Sequence, residues 1–130
     1  MATYLLDTGI LIRHLRGRKA AVRLLRGLGK DRLAISAVTR AEIRAGMRRS
    51  EDKATRRLLA RLETAPVDQE IADRAGDLIR RAHSQDRTLH VIDALIGATA
   101  AQRGITLVTL NTADFEGLGL SLYPLPDDLA

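Results

Sequence analysis

The chain has 130 residues, of which 45% are hydrophobic and 28% charged, and its formal net charge is +5 at neutral pH. This length suits one domain with a buried core, and the composition argues against intrinsic disorder. The chain contains no cysteine, which excludes disulfide scaffolds, cysteine-zinc sites and thiol nucleophiles. Aromatic residues make up only 2%, too few for an extended platform on which single-stranded bases stack.

Short apolar runs and helical periodicities alternate along the chain, and both are punctuated by polar residues. Three runs predict buried strands, at 3–6, 33–36 and 105–109, and two weaker candidates lie at 65–67 and 120–123. Helical patterns cover 8–16, 19–28, 39–49, 52–63, 69–85 and 92–103. This alternation predicts a three-layer α/β fold with a mainly parallel central sheet flanked by helices. In such sheets, binding sites lie beyond the carboxyl ends of the strands.

The charge is distributed unevenly along the chain. Residues 13–61 carry a net charge of +12 and residues 62–130 a net charge of −6, and 18 of the 21 basic residues are arginine. Arginine is suited to bidentate contacts with phosphate. One explanation is a solvated helical surface, and the other, which we favour for the asymmetry as a whole, is an acidic partner such as RNA or an acidic protein segment.

Four carboxylates from distant parts of the chain are predicted to meet at one end of the sheet. Asp7 directly follows the first strand, and Glu42 lies in the helix after the second strand. Asp93 is at the start of helix 92–103, and Asp114 follows the third strand by five residues. Like charges in such a cluster repel each other unless a cation lies among them, and Mg²⁺ prefers a few carboxylate oxygens together with water and phosphate.

Each of the four carboxylates also has a purely structural explanation. Asp7 and Asp93 fit helix N-caps, Glu42 fits the last position of a capping box that begins at Thr39, and Asp114 fits a turn with the polar residues before it. Capping, however, does not require the four to converge at the same end of the sheet.

Other signatures are missing from the sequence. It has no phosphate-binding glycine loop and no dinucleotide fingerprint, and its three histidines lack ligand spacing. No apolar stretch approaches the ~18 residues of a spanning helix, and no secretory signal is visible. We therefore expect a cytoplasmic location without membrane association.

The sequence resembles the PIN-domain family, specifically the VapC-type toxins of bacterial toxin–antitoxin pairs. The resemblance is carried by four blocks in the family's order and spacing, at 5–12, 36–46, 92–100 and 107–115. It implies a PIN-like domain over residues 1–130 and a metal-dependent endoribonuclease that is held inactive by a partner antitoxin. It also implies a homodimer, or a heterotetramer or hetero-octamer with the antitoxin.

The family's acidic quartet falls on Asp7, Glu42, Asp93 and Asp114, the same four residues. Asp7, Asp93 and Asp114 would hold one or two Mg²⁺ or Mn²⁺ ions that activate water for attack on an RNA phosphodiester, and Glu42 would bind a second ion or orient that water. Supporting hydrogen bonds to these carboxylates are expected from Thr8, Thr109 and Asn111. Contacts to the RNA backbone are expected from Arg13, Arg16, Arg44 and Arg48.

The sequence departs from the family pattern at two positions. Gly9 stands where Ser or Asn usually follows the first Asp-Thr, and Leu110 replaces the arginine of a usual Thr-Arg-Asn. The alternative function is therefore a PIN-like RNA- or protein-binding module without turnover, although four converging carboxylates would repel the phosphates of a bound RNA.

Overall fold

The computed structural model describes residues 2–129, which form a four-stranded sheet with helices on both faces. The strands are β1 (Tyr4–Leu6), β2 (Leu33–Ser36), β3 (Glu63–Ala65) and β4 (Thr106–Val108). All strand pairs are parallel, and the order across the sheet is β3-β2-β1-β4. The weak strand expected at 120–123 amounts to one bridge between Leu122 and Leu107. The predicted α/β class with a parallel sheet is confirmed.

The helices follow the predicted periodicities closely. They are α1 (Thr8–Leu15), α2 (Lys19–Leu28), α3 (Ala37–Gly46), α4 (Asp52–Arg61), α5 (Gln69–Ser84), α6 (Val91–Arg103) and the one-turn α7 (Thr112–Phe115), with 3-10 turns at Lys30–Arg32, Arg49–Glu51 and Asp127–Leu129. The α3 helix begins two residues before the predicted start because the Ser36 hydroxyl accepts from the backbone N–H of Val38 at 3.1 Å. Strand β3 also lies two residues earlier than the strand predicted at 65–67.

The core is divided between the two faces of the sheet. Successive strand residues point to opposite faces, so Leu5 packs into one buried cluster and Leu6 into the other. The first cluster contains the apolar faces of α5 and α6 together with Phe115, and the second contains those of α1, α2 and α4. The result is the expected arrangement of three layers.

The order of the strands places a switch point at β1. The chain runs from β1 to β2 and β3 on one side, and then returns to β4 on the other side of β1. A crevice forms beyond the carboxyl ends of parallel strands where the direction of winding reverses, and here that position is the end of β1, at Asp7. Within residues 2–129, no helix is both long and apolar enough to cross a membrane.

Candidate active site

Asp7 lies at the end of β1 and caps α1. Its carboxylate accepts the backbone N–H of Thr8 at 2.7 Å through Oδ1 and the hydroxyl of Thr109, which follows β4, at 2.6 Å through Oδ2. The side chain is only 5% exposed. The N-cap expected from the sequence is therefore confirmed, but the cap alone does not require the burial or the bond to Thr109.

Glu42 is held next to Asp7 by α3. The Thr8 hydroxyl donates to Glu42 Oε1 at 2.6 Å and lies 3.1 Å from the Thr39 hydroxyl. The capping-box explanation for Glu42 is wrong, because the N-cap of α3 is Ser36 rather than Thr39. Glu42 thus lies one and a half turns inside the helix, beyond the reach of any cap.

Asp93 and Asp114 come from the other side of β1. The N-cap of α6 is His90, so the expectation that Asp93 is an N-cap is wrong. Asp93 lies in the first turn of α6, where the helix dipole favours a carboxylate. Asp114 lies in the one turn of α7, with its backbone N–H bonded to Asn111 O at 3.0 Å and its side chain exposed.

The pKa shifts place the four carboxylates within electrostatic range of each other. The pKa of Asp93 is raised, first by partial burial and then by the charges of Asp7, Asp114 and Glu42, against a smaller opposing effect of His90. The pKa of Asp7 is also raised by burial, while its bonds from Thr109 and Thr8 lower it and Glu42 raises it further. In the described part of the chain, none of the four forms an ion pair. Among residues 2–129, no cationic side chain therefore neutralises the negative charge of the cluster by direct contact.

The expected supporting residues differ in what they contact. Thr8 and Thr109 bond directly to the carboxylates of Glu42 and Asp7. Asn111 reaches the site only through its backbone N–H, which donates to Thr109 Oγ1 at 3.0 Å and fixes the direction of that hydroxyl. The two departures from the family pattern are neighbours, since a Cβ at Gly9 would lie 3.4 Å from Leu110 Cδ1.

The four arginines expected at the RNA backbone fall into two groups. Arg13 donates to Leu129 O at 3.1 Å, and the Arg16 Nε lies 4.0 Å from Glu51, beside a cavity of about 130 Å³ that Glu42 also lines. Arg44 and Arg48 are exposed at the end of α3 and just after it. The second pair is therefore open to a ligand in solvent, although Arg44, two residues after Glu42 in α3, does not share the helix face of Glu42.

The donor set of the cluster fits a hard divalent cation. All four groups are carboxylates, and their mutual repulsion would be relieved by positive charge. Across residues 2–129, no three acidic, histidine or cysteine side chains are grouped closely enough to form a ligand cage. Mg²⁺ does not require such a cage, since it keeps several waters and binds through one or two carboxylates.

Two residues near the site were not found by sequence reasoning. Thr39 is completely buried beside Thr8, and His90 reduces the rise of the Asp93 pKa. A buried threonine one turn before a site glutamate is a usable signal, because Thr39 and Glu42 share a helix face. No comparable pattern in the sequence pointed to His90.

Comparisons with known proteins show the family and fold of the chain. Residues 4–119 match the PIN domain family. Ribonuclease VapC10 of Mycobacterium tuberculosis is 43% identical over 112 residues, 85% of this chain and 84% of that protein. A tRNA(fMet)-specific endonuclease VapC of Shigella flexneri is 30% identical over 92% of this chain and 94% of that one.

A solved toxin–antitoxin complex from Klebsiella pneumoniae contains a chain that superposes with a TM-score of 0.81, at 30% identity over 94% of this chain and 97% of that one. The chain belongs to the PIN-domain family and, within it, to the VapC-type proteins. The resemblance stated from the sequence is thereby confirmed.

Proposed function

We propose that the chain is a divalent-metal-dependent endoribonuclease and the toxin of a toxin–antitoxin pair. Two observations support this proposal: Thr8 links Asp7 to Glu42 at the end of β1, and Asp93 lies within range of the charges of Asp7, Asp114 and Glu42. Within residues 2–129, none of the four forms an ion pair. The activities for which the relatives are named, ribonuclease and tRNA-specific endonuclease, support the same conclusion.

Each residue of the site has a part in the proposed hydrolysis. Asp7, Asp93 and Asp114 would hold one or two Mg²⁺ or Mn²⁺ ions, and the hydroxyl of Thr109 keeps Asp7 Oδ2 in a fixed direction. Such an ion, when bound, supplies Lewis-acid chemistry that activates water and stabilises charge on the phosphate. Glu42, oriented by the Thr8 hydroxyl, would bind a second ion or orient the attacking water.

The test of the proposed activity is cleavage of RNA with and without metal. We expect the chelated protein to be inactive and Mg²⁺ or Mn²⁺ to restore cleavage, because the quartet alone cannot stabilise charge on a phosphate. The Asp7→Asn protein, purified identically, is the control for a contaminating nuclease. Full activity in excess chelator would contradict the mechanism, and wild-type activity in Asp7→Asn would contradict the site.

The expected antitoxin has a suitable groove on the chain. A cavity of about 250 Å³ lies between α1, α2 and α4, with an apolar lining that includes Val22, Leu25 and Leu58. Arg26, Lys30 and Arg61 add positive charge around it. An amphipathic helix with acidic flanks fits this chemistry, followed by a segment that places an Arg or Lys at the quartet.

The antitoxin part of the proposal has its own test in cells. Expression of the chain alone should arrest growth, and co-expression of the cognate antitoxin should restore growth and yield a complex. Val22→Glu should weaken that complex, since it introduces a carboxylate into the apolar lining. A chain that is harmless when expressed alone would count against the toxin role.

The proposed homodimer has a candidate surface at the start of α6. Val91 and Ile92 are the large apolar side chains that stay exposed in the described chain, at 60% and 44%. They directly precede Asp93, so a second copy packed there would bring two acidic sites together. Light scattering of Val91→Glu should report a monomer if this surface forms the dimer.

A binding module without turnover is the alternative function. It would retain RNA or protein binding and show no metal-stimulated cleavage. The four carboxylates argue against it, because they would repel the phosphates of a bound RNA and give a silent module no benefit.

A further inference from the structure

We propose that Arg87 is a positioning residue that holds the Asp114 turn in place beside Asp93. The expected effect of Arg87 on metal binding rests on the proposed function. The contacts between Arg87 and the turn do not depend on that function. They connect the segment between α5 and α6 to the helix α7.

Asp114 has the least local support of the four carboxylates. Asp7 and Glu42 accept hydrogen bonds from Thr8 and Thr109, and Asp93 belongs to the 13-residue helix α6. Asp114 is carried by a four-residue helix, and no side-chain hydrogen bond to it occurs within residues 2–129. A single helical turn is marginal in water, so its conformation depends on contacts from outside.

Arg87 supplies those contacts at the end of α7. Its Nη1 donates to Ala113 O at 2.9 Å, and its Nη2 donates to Glu116 O. Ala113 O lies in the single turn of α7 and Glu116 O belongs to the residue directly after it, so neither oxygen has a partner within the helix. The two acceptors flank Asp114 in the sequence, so one guanidinium fixes the backbone on both sides of the carboxylate.

The backbone at Arg87 is fixed by the end of α5, and a neighbouring side chain contacts its guanidinium. Its backbone N–H donates to Ala82 O at 2.9 Å and that of Asp86 donates to His83 O at 3.0 Å, which is a Schellman motif at the end of α5. Asp86 takes the required left-handed conformation with φ of 58°. Gln85 accepts from Arg87 Nη2 at 2.6 Å and donates to Gly117 O at 3.1 Å, so it supports the same contact.

Arg87 does not act by direct pairing with the acidic site. No ion pair joins it to Asp114 in the described chain, and the charges that shift Asp93 come from the other carboxylates and His90. Its role is therefore geometric. Arg87 fixes the turn of α7, and this turn sets the position of Asp114 relative to Asp93 in the first turn of α6.

The experiment compares Arg87→Ala, Arg87→Lys and the control Arg80→Ala in the full chain. Arg80 is an exposed arginine of α5 for which the described residues include no side-chain hydrogen bond. Amide hydrogen exchange on the metal-free proteins should show the Asp114 and Glu116 amides exchanging about tenfold faster in Arg87→Ala, since bonds from a charged donor shift an opening equilibrium by about that factor. Amides of α6 should be unchanged.

Calorimetric titration with Mn²⁺ gives the second readout. Arg87→Ala should bind Mn²⁺ about ten- to a hundredfold more weakly, as is typical when a residue that orients a ligand is removed. Arg87→Lys keeps the charge but cannot reach both carbonyls together, so it should recover part of the affinity. Arg80→Ala should match the wild type in both measurements.

Two results would overturn the role of Arg87. Wild-type exchange of the 112–117 amides in Arg87→Ala would show that the contacts do not hold the turn. Faster exchange with unchanged Mn²⁺ affinity would show that the turn does not position a ligand. A wild-type chain that binds no Mn²⁺ would instead refute the proposed function and the metal role together, while the exchange data would still decide whether Arg87 holds the turn.

Discussion

At the scale of single residues, Asp7 is both the N-cap of α1 and a carboxylate of the candidate site. The sequence alone could not separate these two roles. Asp7 caps α1 through Oδ1, which accounts for its position at the start of a helix. Its Oδ2 accepts from Thr109, 102 residues away, and the Asp7 carboxylate is buried among other negative charges. Because Asn caps helices as well as Asp does, substitution can remove the charge and keep the cap.

Asp7→Asn and Glu42→Gln should separate charge from structure. In the metal-free proteins, removing one of several neighbouring negative charges should leave the free energy of unfolding unchanged or raise it. The same changes should weaken Mn²⁺ binding and abolish RNA cleavage. Urea unfolding, calorimetry and a cleavage assay measure the three effects, with Glu116→Gln as an exposed control close to Asp114 in the chain.

Wild-type Mn²⁺ affinity and turnover in both variants would mean that these carboxylates are structural only. The ribonuclease assignment would then rest on family membership alone.

The raised pKa values of Asp7 and Asp93 predict a stability that falls as pH rises. Between the ordinary pKa of 3.8 and the raised folded value, the native state binds more protons than the unfolded state. The free energy of unfolding of the metal-free protein therefore decreases as pH rises through that window. Asp7→Asn should reduce this decrease, and urea titrations over a pH series compare the two slopes. Equal slopes would show that burial of the Asp7 charge has no energetic cost.

His14 acts in the opposite direction and must be considered in the same titrations. Its pKa is lowered by burial, so its contribution to stability is lost as pH falls below the ordinary value of 6.5. His14 is present in both the wild type and Asp7→Asn. The difference between their slopes of unfolding free energy against pH therefore reports the contribution of the Asp7 carboxylate alone.

At the scale of elements, the strands and helices were largely predictable and their ends were not. Apolar runs and helical spacing located all four strands and the six longer helices, because burial on one face imposes those periods. The start of α3 was misplaced, since both Ser36 and Thr39 are competent caps and only the end of β2 decides between them. The helix α7 has only four residues, too few to show the hydrophobic periodicity of a helix, so no sequence pattern predicted it.

The packing of α6 on α7 gives a prediction for Gly97. It lies one turn after Asp93, and a Cβ there would be 3.1 Å from Phe115 Cε1 and 3.2 Å from Leu120 Cδ1. Overpacking costs about 1–3 kcal/mol, whereas the gain in helix propensity from Gly to Ala is about 1 kcal/mol. Gly97→Ala should therefore lower the free energy of unfolding by about 1 kcal/mol and weaken Mn²⁺ binding, because Asp114 moves with Phe115.

Gly76 provides the matched control. It is an exposed glycine of α5, and a Cβ added there would have nothing within 4 Å. Gly76→Ala should stabilise the protein by about 0.5–1 kcal/mol, since only backbone entropy and helix propensity change. If both substitutions stabilise the protein equally, Gly97 does not set the distance between α6 and α7.

At the scale of the whole molecule, the order of the elements located the candidate site, but its supporting contacts could not be predicted from the sequence. Parallel strands bring their carboxyl ends to one edge, so Asp7, Glu42 and Asp114 were expected together from the order of the elements. Contacts such as Thr109 to Asp7 and Arg87 to Ala113 join residues far apart in the chain. They depend on the relative placement of packed elements, which no local pattern encodes.

The charge asymmetry of the sequence is only partly available to a ligand. Within the +12 segment, Arg23 and Arg56 pair with Asp128 and Asp52, and Arg13 and Arg40 donate to oxygens of the chain itself. Arg44 and Arg48 remain exposed in the last turn of α3 and just after it. The basic surface open to an RNA backbone is therefore smaller than the sequence count, and it also includes exposed residues away from the site such as Arg26 and Arg61.

Salt titration of RNA binding tests that surface. In chelator, which prevents cleavage, the affinity for a single-stranded RNA should fall with salt by about 0.7 log units per log unit of salt for each phosphate neutralised. The Arg44→Ala, Arg48→Ala double variant should reduce that slope by about 1.4, since two phosphate contacts are lost. Arg80→Ala, on the acidic half of the chain, should leave it unchanged. A salt-independent affinity would contradict an RNA-facing basic surface, and an equal slope in the double variant would place that surface elsewhere on the molecule.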